Sequence, residues 1–273
     1  MSRADASDAS KTDVFFAPPR LIESLEIVFS ELLLRQSLTL SFLAQQDLRS
    51  IDDVSLEGGK LHSQYTGLGL SGPIVSSLYY DSFFYLGTGK TLSYINSSYV
   101  YKPILSFLAG GELILFMEEA LFSRVGVKLL FSSGDADYSE DFVEGNTEGL
   151  SNMFIPISRP TFALVFSPQP GNIFLAELSY SIKPHDTLQT LLKAAAFFRS
   201  TTGQISEPGI DDASDSLYLG TEIDLVVNFR PFSDLGAALS GGFFIPNNGA
   251  GGAFLESDRS IEFLTRLEFS FSF

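Results

Sequence analysis

The sequence predicts an all-β fold, a closed antiparallel transmembrane β-barrel of about twelve strands, with ten strands as the alternative. Two stretches alternate apolar and polar residues over a long distance, Ser216–Arg230 and Ile261–Phe273. Such alternation gives a strand two chemically opposed faces. A strand that crosses a membrane needs about 9–11 residues, against about 5–6 in a soluble sheet. Hydrophobic residues make up 45% of the 273 residues, yet no run of them approaches a membrane helix of roughly 20.

The N-terminal part of the chain begins with a polar stretch, Met1–Lys11, which we expect to be disordered. A single barrel domain then extends over residues 12–273. Thr12–Ala17 is predicted to be a short first strand, ended by Pro18 and Pro19. Leu21–Leu33 fits both a helical stripe and a strand. The strand is favoured because Arg35 and Gln36 form a tight turn into the clean alternation of Ser37–Gln45.

Seven further strands are predicted between these ends of the chain. They are Lys60–Leu70, Ser76–Leu86, Ile104–Met117, Phe122–Ser132, Asn172–Lys183, Leu188–Ser200 and Leu235–Pro246.

The connections between the strands alternate between short turns and long polar loops, as in transmembrane barrels. The short ones are Ser71–Val75, Glu118–Leu121, Lys183–Thr187 and Pro231–Asp234. The long ones are Arg49–Gly59, Gly87–Lys102, Gly134–Gly171, Thr201–Asp215 and Asn247–Asp258. Within the longest loop, Met153–Ile157 and Thr161–Ser167 are apolar, which predicts a loop that folds over or into the mouth of the barrel. An even strand number requires Thr12–Ala17 as the first strand.

The last strand carries the most specific motif in the chain. Its alternating aromatic residues end at Phe273, and it resembles the C-terminal signature of Gram-negative outer-membrane β-barrels. That resemblance implies an integral outer-membrane protein that is surrounded by outer-membrane lipid and inserted by the outer-membrane assembly machinery. Met1 is followed by polar residues, so we expect a mature chain from which a signal peptide has been removed.

A second resemblance, between Asn172 and Pro246, is to alginate-export-type outer-membrane channels. The residues that carry it are Ser181-Ile182-Lys183-Pro184, Phe198-Arg199, Gly220-Thr221-Glu222-Ile223-Asp224 and Phe244-Ile245-Pro246.

Composition excludes several other functions. The formal charge of −16 argues against a nucleic-acid partner, which selects basic surfaces. Without cysteine the chain has no disulfide and no thiolate site. Its two histidines, His62 and His185, accompany no G-x-S-x-G or H-E-x-x-H motif, so we expect no enzyme, no catalytic residue and no cofactor. The acidic groups at Asp135–Glu148 and Asp211–Asp215 lack EF-hand spacing and are interpreted as solvated loops; bridging by divalent cations is the alternative, and no metal site is assigned.

The charged residues of the strands share the face opposite the apolar one. On the lipid side a charge costs about 2–4 kcal/mol near the midplane, so these side chains are predicted to face a lumen. In Ser216–Arg230, Leu219 falls on the apolar face and Tyr218 on the polar one. The predicted lumen and selectivity residues are Arg124, Lys128, Glu177, Lys193, Arg199, Glu222, Asp224, Arg230, Glu262, Arg266 and Glu268.

Two interpretations of these charges stay open. In the first, Arg and Lys line a narrow lumen, and the protein is a porin-like outer-membrane channel that passes small polar, preferentially anionic solutes. In the second, the charges pair into a closed interior, and the barrel is structural or adhesive, with acidic surface loops that bind extracellular partners. A soluble β-sandwich is a third alternative, which the strand lengths and the terminal Phe273 argue against.

Overall fold

The computed structural model describes residues 20–31, 35–48, 60–95, 98–136, 152–157, 160–211, 213–232, 234–249, 251–255 and 260–271. These residues form one antiparallel sheet of eleven strands, in which each strand pairs with the next one along the chain. The strands are β1 Arg20–Phe29, β2 Ser37–Asp47, β3 Leu61–Val75, β4 Leu78–Ile95, β5 Ser98–Met117, β6 Ser123–Ser132, β7 Ile173–His185, β8 Leu188–Arg199, β9 Tyr218–Phe229, β10 Leu235–Pro246 and β11 Glu262–Phe271.

The all-β prediction is confirmed. Within the predicted strand Leu21–Leu33, the strand assignment is confirmed as far as Phe29, where β1 ends, and residues 30–31 form a turn. In the described part of the chain, no helix has the length and apolar character needed to cross a membrane.

Two predicted connections are wrong. Ser71–Val75 belongs to β3, which continues with an irregularity near Pro73 to a turn at residues 76–77. Gly87–Lys102 was predicted as a long loop, but β4 and β5 extend through it and stay paired as far as Ile95 and Ser98. Its mixture of Gly, Ser, Thr and Tyr lacks the apolar alternation of a lipid-facing strand. The backbone ladder between the two strands nevertheless satisfies their polar groups.

The described sheet is not closed. Eleven strands are described where about twelve were predicted, and no ladder joins β1 to β11 among the residues that the structure covers. Both edge strands are exposed on their two faces from their second residue onward. The predicted first strand Thr12–Ala17, the polar segment Met1–Lys11 and the terminal Phe273 lie outside the described residues.

The sheet has two chemically different faces. One, here called the outer face, presents apolar side chains to the surroundings, such as Leu178, Leu192 and Leu225, which are 46–54% exposed. The other, the inner face, bears every charged residue of β6–β9. Successive side chains of a strand point to opposite faces of the sheet. Apolar residues at alternate positions therefore form the outer face, and the residues between them form the inner face.

An aromatic row crosses the outer face on six successive strands, β4 to β9. Ring centroids lie 6.5 Å apart for Phe84 and Phe107 and 5.4 Å apart for Phe107 and Phe131. Phe131 is the register partner of Phe174 on β7. The row continues from Phe174 to Phe198 at 5.7 Å and from Phe198 to Tyr218 at 5.2 Å.

A β-bulge at the start of β9 reverses two predicted orientations. Phe197 pairs with Gly220 and Phe198 with Tyr218, which leaves Leu219 as the extra residue. Leu219 therefore turns inward and is fully buried, whereas Tyr218 joins the outer aromatic row. Gly220 makes the bulge possible, because a Cβ there would lie 2.5 Å from the Ile245 carbonyl oxygen. The predicted placement of Leu219 and Tyr218 is thus wrong by one residue.

Candidate functional site on the inner face

A band of alternating charge crosses the inner face on five neighbouring strands. Glu112 of β5 is the register partner of Lys128 of β6, and Lys128 is also the partner of Glu177 of β7. On β8 and β9, Lys193 is paired with Asp224. Opposite charges that face each other across strands contribute about 0.2–1 kcal/mol per pair. This set, the charge band, contains three carboxylates and two amines.

The best-defined contact within the charge band is an ion pair between β7 and β8. Lys193 Nζ lies 3.4 Å from Glu177 Oε2, and the side chains are 28% and 7% exposed. A pair this buried costs desolvation energy that its attraction only partly offsets. Removal of Lys193 would leave the buried Glu177 carboxylate without its ion-pair partner.

One segment of the longest connection, residues 160–171, packs against the inner face; we call it the inserted segment. Phe162 and Phe166 are 4% and 2% exposed. The Phe166 ring stacks on Phe244 of β10 with centroids 4.3 Å apart and meets Phe197 of β8 edge-on at 5.0 Å. Aromatic pairs in such geometries contribute about 0.5–1.5 kcal/mol beyond the area they bury.

Glu222 of β9 binds the backbone of the inserted segment with both carboxylate oxygens. Val165 N donates to Oε1 and Phe166 N to Oε2, each over 2.7 Å. Glu222 is 1% exposed, and a buried carboxylate is costly unless donors reach it. These two charge-assisted hydrogen bonds supply that compensation and fix the position of the segment.

Phe162 lies between the two amines of the charge band. Lys193 Nζ donates to the Phe162 carbonyl oxygen over 3.5 Å. Lys128 Nζ lies 5.8 Å from the centroid of the Phe162 ring, within the range of a cation–π contact. The inserted segment therefore contacts both amines of the charge band.

Residues 152–157 extend the same contacts to β3. The hydroxyl of Tyr65 donates to the Ile155 carbonyl oxygen, and its ring meets Phe154 edge-on with centroids 5.4 Å apart. Because the connection reaches β3 on one side and β10 on the other, the apolar core lies between this connection and the inner face.

Arg199 lies on the inner face but is buried beneath the connection between β8 and β9. Its five N–H groups donate to the carbonyl oxygens of Gly203, Asp211, Ser214 and Ser216, the last of which accepts from both Nε and Nη2. With 1% exposure, this guanidinium organises a loop. This burial was not predicted from the sequence, and the selectivity role of Arg199 stays a prediction.

The remaining predicted site residues lie near the turns or the sheet edge. Arg124 and Arg230 are exposed, and Arg266 lies 3.4 Å from Glu268 with both side chains more than half exposed. A cavity of about 830 Å³ opens at this end of the sheet, where Lys183, Gln189, Asn228, Arg230 and Glu268 contribute its polar wall. Glu262 begins β11 at the opposite end of that strand.

Asp224 has a buried carboxylate oxygen, Oδ1, to which no group among the described residues donates a hydrogen bond. The side chain is 3% exposed. A Cβ placed on Gly242 would meet Oδ1 at 2.3 Å and the Leu164 side chain at 3.1 Å. The carboxylate thus lies beneath the inserted segment, beside Glu222 on the same strand face.

Sequence reasoning missed two parts of this site. Glu112 was not predicted as a site residue, although its register partner Lys128 was. Phe197 has the same parity as Lys193 and Arg199, so it is an aromatic residue on a polar face. That signal predicts that something apolar packs against the inner face at this level.

Asn172 is a further residue that the sequence analysis did not single out. It adopts φ 58°, a conformation that Asn tolerates better than most residues. Its side chain donates to Gln204 O and accepts from Thr201 N, and its backbone N–H donates to Ser133 O. Asn172 therefore ties the end of β6, the start of β7 and the loop after β8 together.

Comparison with known proteins adds no family to these observations. No protein-family model matches the chain, and no curated protein matches it significantly.

Proposed function

We propose that the chain closes into a β-barrel in a bacterial outer membrane and works as a narrow channel for small polar solutes, obstructed by the inserted segment. The opposition of the two faces carries this proposal. An apolar outer face with an aromatic row suits lipid and its interface, while the inner face carries the charges. Each of the eleven strands has at least 10 residues, enough for a tilted strand to cross the membrane.

The direction of the edge strands supports the proposal that one further strand closes the barrel. In an antiparallel meander all odd-numbered strands run the same way, so β1 and β11 are parallel. One further strand between them would restore antiparallel pairing on both sides and remove the exposed edges. The sequence predicts Thr12–Ala17 as that strand, and these residues lie outside the described ranges.

The charge band and the basic residues at the turn end would set selectivity. Arg124, Lys183 and Arg230 lie at the end of the sheet where the short turns are, and there they would attract anions. The anions would then meet Lys128 and Lys193. The carboxylates between these amines keep the path polar without a continuous cationic surface. Passage requires the inserted segment to leave the two lysines.

A second function is favoured by one observation, the near-complete burial of Phe162 and Phe166. A segment that never leaves the inner face would make the barrel a closed, structural or adhesive one. Its acidic loops, most of whose residues lie outside the described ranges, would then bind extracellular partners.

Conductance in planar bilayers separates the two functions. Wild type is compared with a variant in which Thr161–Ser167 is replaced by a Gly-Ser linker of equal length. The channel predicts steady openings that grow severalfold in the variant and prefer anions; the preference falls in Arg124→Gln/Lys128→Gln. Insertion of both proteins as heat-modifiable barrels without current would contradict the channel and support the closed barrel.

A further inference from the structure

The inner face recognises the backbone of the inserted segment at three points. Lys193 Nζ donates to the carbonyl oxygen of Phe162, and Glu222 accepts from the N–H groups of Val165 and Phe166. None of these contacts depends on the side chain of the residue that is bound. The segment bends at residues 163–165, which brings the two consecutive N–H groups to the same carboxylate. Contacts to peptide groups of this kind leave the side chains of the bound residues free to vary.

Two side-chain positions add specificity to this backbone recognition. Phe166 enters an aromatic cluster formed by Phe197 and Phe244. Four residues earlier, the Phe162 ring faces the ammonium group of Lys128. The inner face therefore offers two places for aromatic side chains, on either side of the three polar contacts.

Every group that holds the segment in this way belongs to the sheet. Lys128, Lys193, Glu222, Phe197 and Phe244 are strand residues whose positions are fixed by the β-ladders. Departure of the segment would leave the site in place, with a buried carboxylate that needs new donors. Simple obstruction by apolar packing would not require a carboxylate aimed at two backbone N–H groups.

We infer that the inner face is a binding site for short peptides that bend as residues 163–165 do and carry aromatic residues four positions apart, and that residues Phe162–Phe166 occupy it in competition with such peptides. Donors on the ligand meet Glu222, an acceptor meets Lys193, and the aromatic side chains replace those of Phe162 and Phe166. The inference rests on the proposed channel in one respect: a peptide must reach the inner face. It also gives that channel a solute class.

The test uses a fluorescent, acetylated heptapeptide with the sequence of Thr161–Ser167 and measures fluorescence anisotropy on purified protein in detergent. The full-length variant with the Gly-Ser replacement should bind it saturably and at least about tenfold more tightly than wild type, because the competing segment is gone. A peptide with both Phe residues changed to Ala controls for partition into detergent and should bind at least about tenfold more weakly. Introduction of Glu222→Gln into the variant should weaken binding, whereas Glu268→Gln should not.

Equal affinity of the heptapeptide for wild type and for the segment-replaced variant would overturn the inference. An affinity that Glu222→Gln leaves unchanged would overturn it too. Should the replaced variant fail to fold, Phe166→Ala in the full chain decides. It weakens the competing segment and leaves the inner face intact, so tighter peptide binding than in wild type is expected, and no gain refutes the site. Peptide binding without conductance would reject the channel alone; conductance without peptide binding would reject the inference alone.

Discussion

The contact between Glu222 and the inserted segment makes the sharpest prediction, through the variant Glu222→Gln. Both hydrogen bonds are 2.7 Å long and charge-assisted, a type that contributes about 1.5–3 kcal/mol. Glutamine keeps one acceptor oxygen and turns an NH₂ donor towards the other backbone N–H. One bond is therefore lost and the other weakened. We expect the segment to be destabilised by about 2 kcal/mol, which corresponds to a roughly 30-fold shift in its opening equilibrium.

Hydrogen exchange followed by mass spectrometry measures this shift directly. Peptic fragments that contain Val165 and Phe166 should exchange about 30-fold faster in Glu222→Gln, while fragments from β7 and β8 keep their rates. The matched control is Glu268→Gln, the same change at an inner-face residue whose side chain is 56% exposed. Exchange at Val165 and Phe166 within about twofold of wild type would show that the carboxylate does not hold the segment.

Three further variants test other parts of the structure. Leu178→Arg places a charge on the outer face, where Leu178 is 54% exposed; unfolding from lipid vesicles should lose about 2–4 kcal/mol, and a change below about 0.5 kcal/mol would indicate contact with water. Arg199→Lys replaces five donors by three, so limited proteolysis should cut the loop after β8 faster, with circular dichroism of the strands unchanged; unaltered cleavage would contradict its anchoring role. Lys193→Gln should lower the free energy of unfolding by about 1–3 kcal/mol because Glu177 stays buried without its ion-pair partner. A second change, Glu177→Gln, should recover part of that loss, and strict additivity would exclude the pair.

The positions of strands could be predicted from the sequence where one face of the strand is apolar. Leu235–Pro246 was predicted with the bounds that β10 has, because a four-residue turn precedes it and a Gly/Asn-rich loop follows it. The paired extensions of β4 and β5 were missed since their polar residues carry no alternation, and only their mutual hydrogen bonds make them strands.

The orientation of single residues was harder to predict. Because Leu219 is an extra residue in the strand, Leu219 faces inward and Tyr218 faces outward, the reverse of what was predicted. Alternation alone cannot locate such a bulge. Gly220 was the available signal, because glycine within a strand often marks one.

The composition of the candidate site depended on contacts between distant parts of the chain. Alternation put Glu222 on the polar face, but its partner Val165 lies 57 residues earlier in a loop. Likewise, Arg199 was predicted to be a lumen cation. The carbonyl groups that surround it belong to the loop after β8, whose folded conformation could not be predicted from the sequence.

The inserted segment also constrains the order in which the protein assembles. Ile155, a few residues before the segment, accepts a hydrogen bond from Tyr65, which lies 90 residues earlier in the chain. Glu222, which binds Val165 of the segment, is synthesised 57 residues after it. The segment thus emerges before β8, β9 and β10, which supply most of its contacts, and these contacts have high contact order. We expect β3 to β6 to pair first and the last five strands, β7 to β11, to assemble around the segment afterwards. Maturation would then be slow, and its last step would be the burial of Phe166 rather than the formation of any β-ladder.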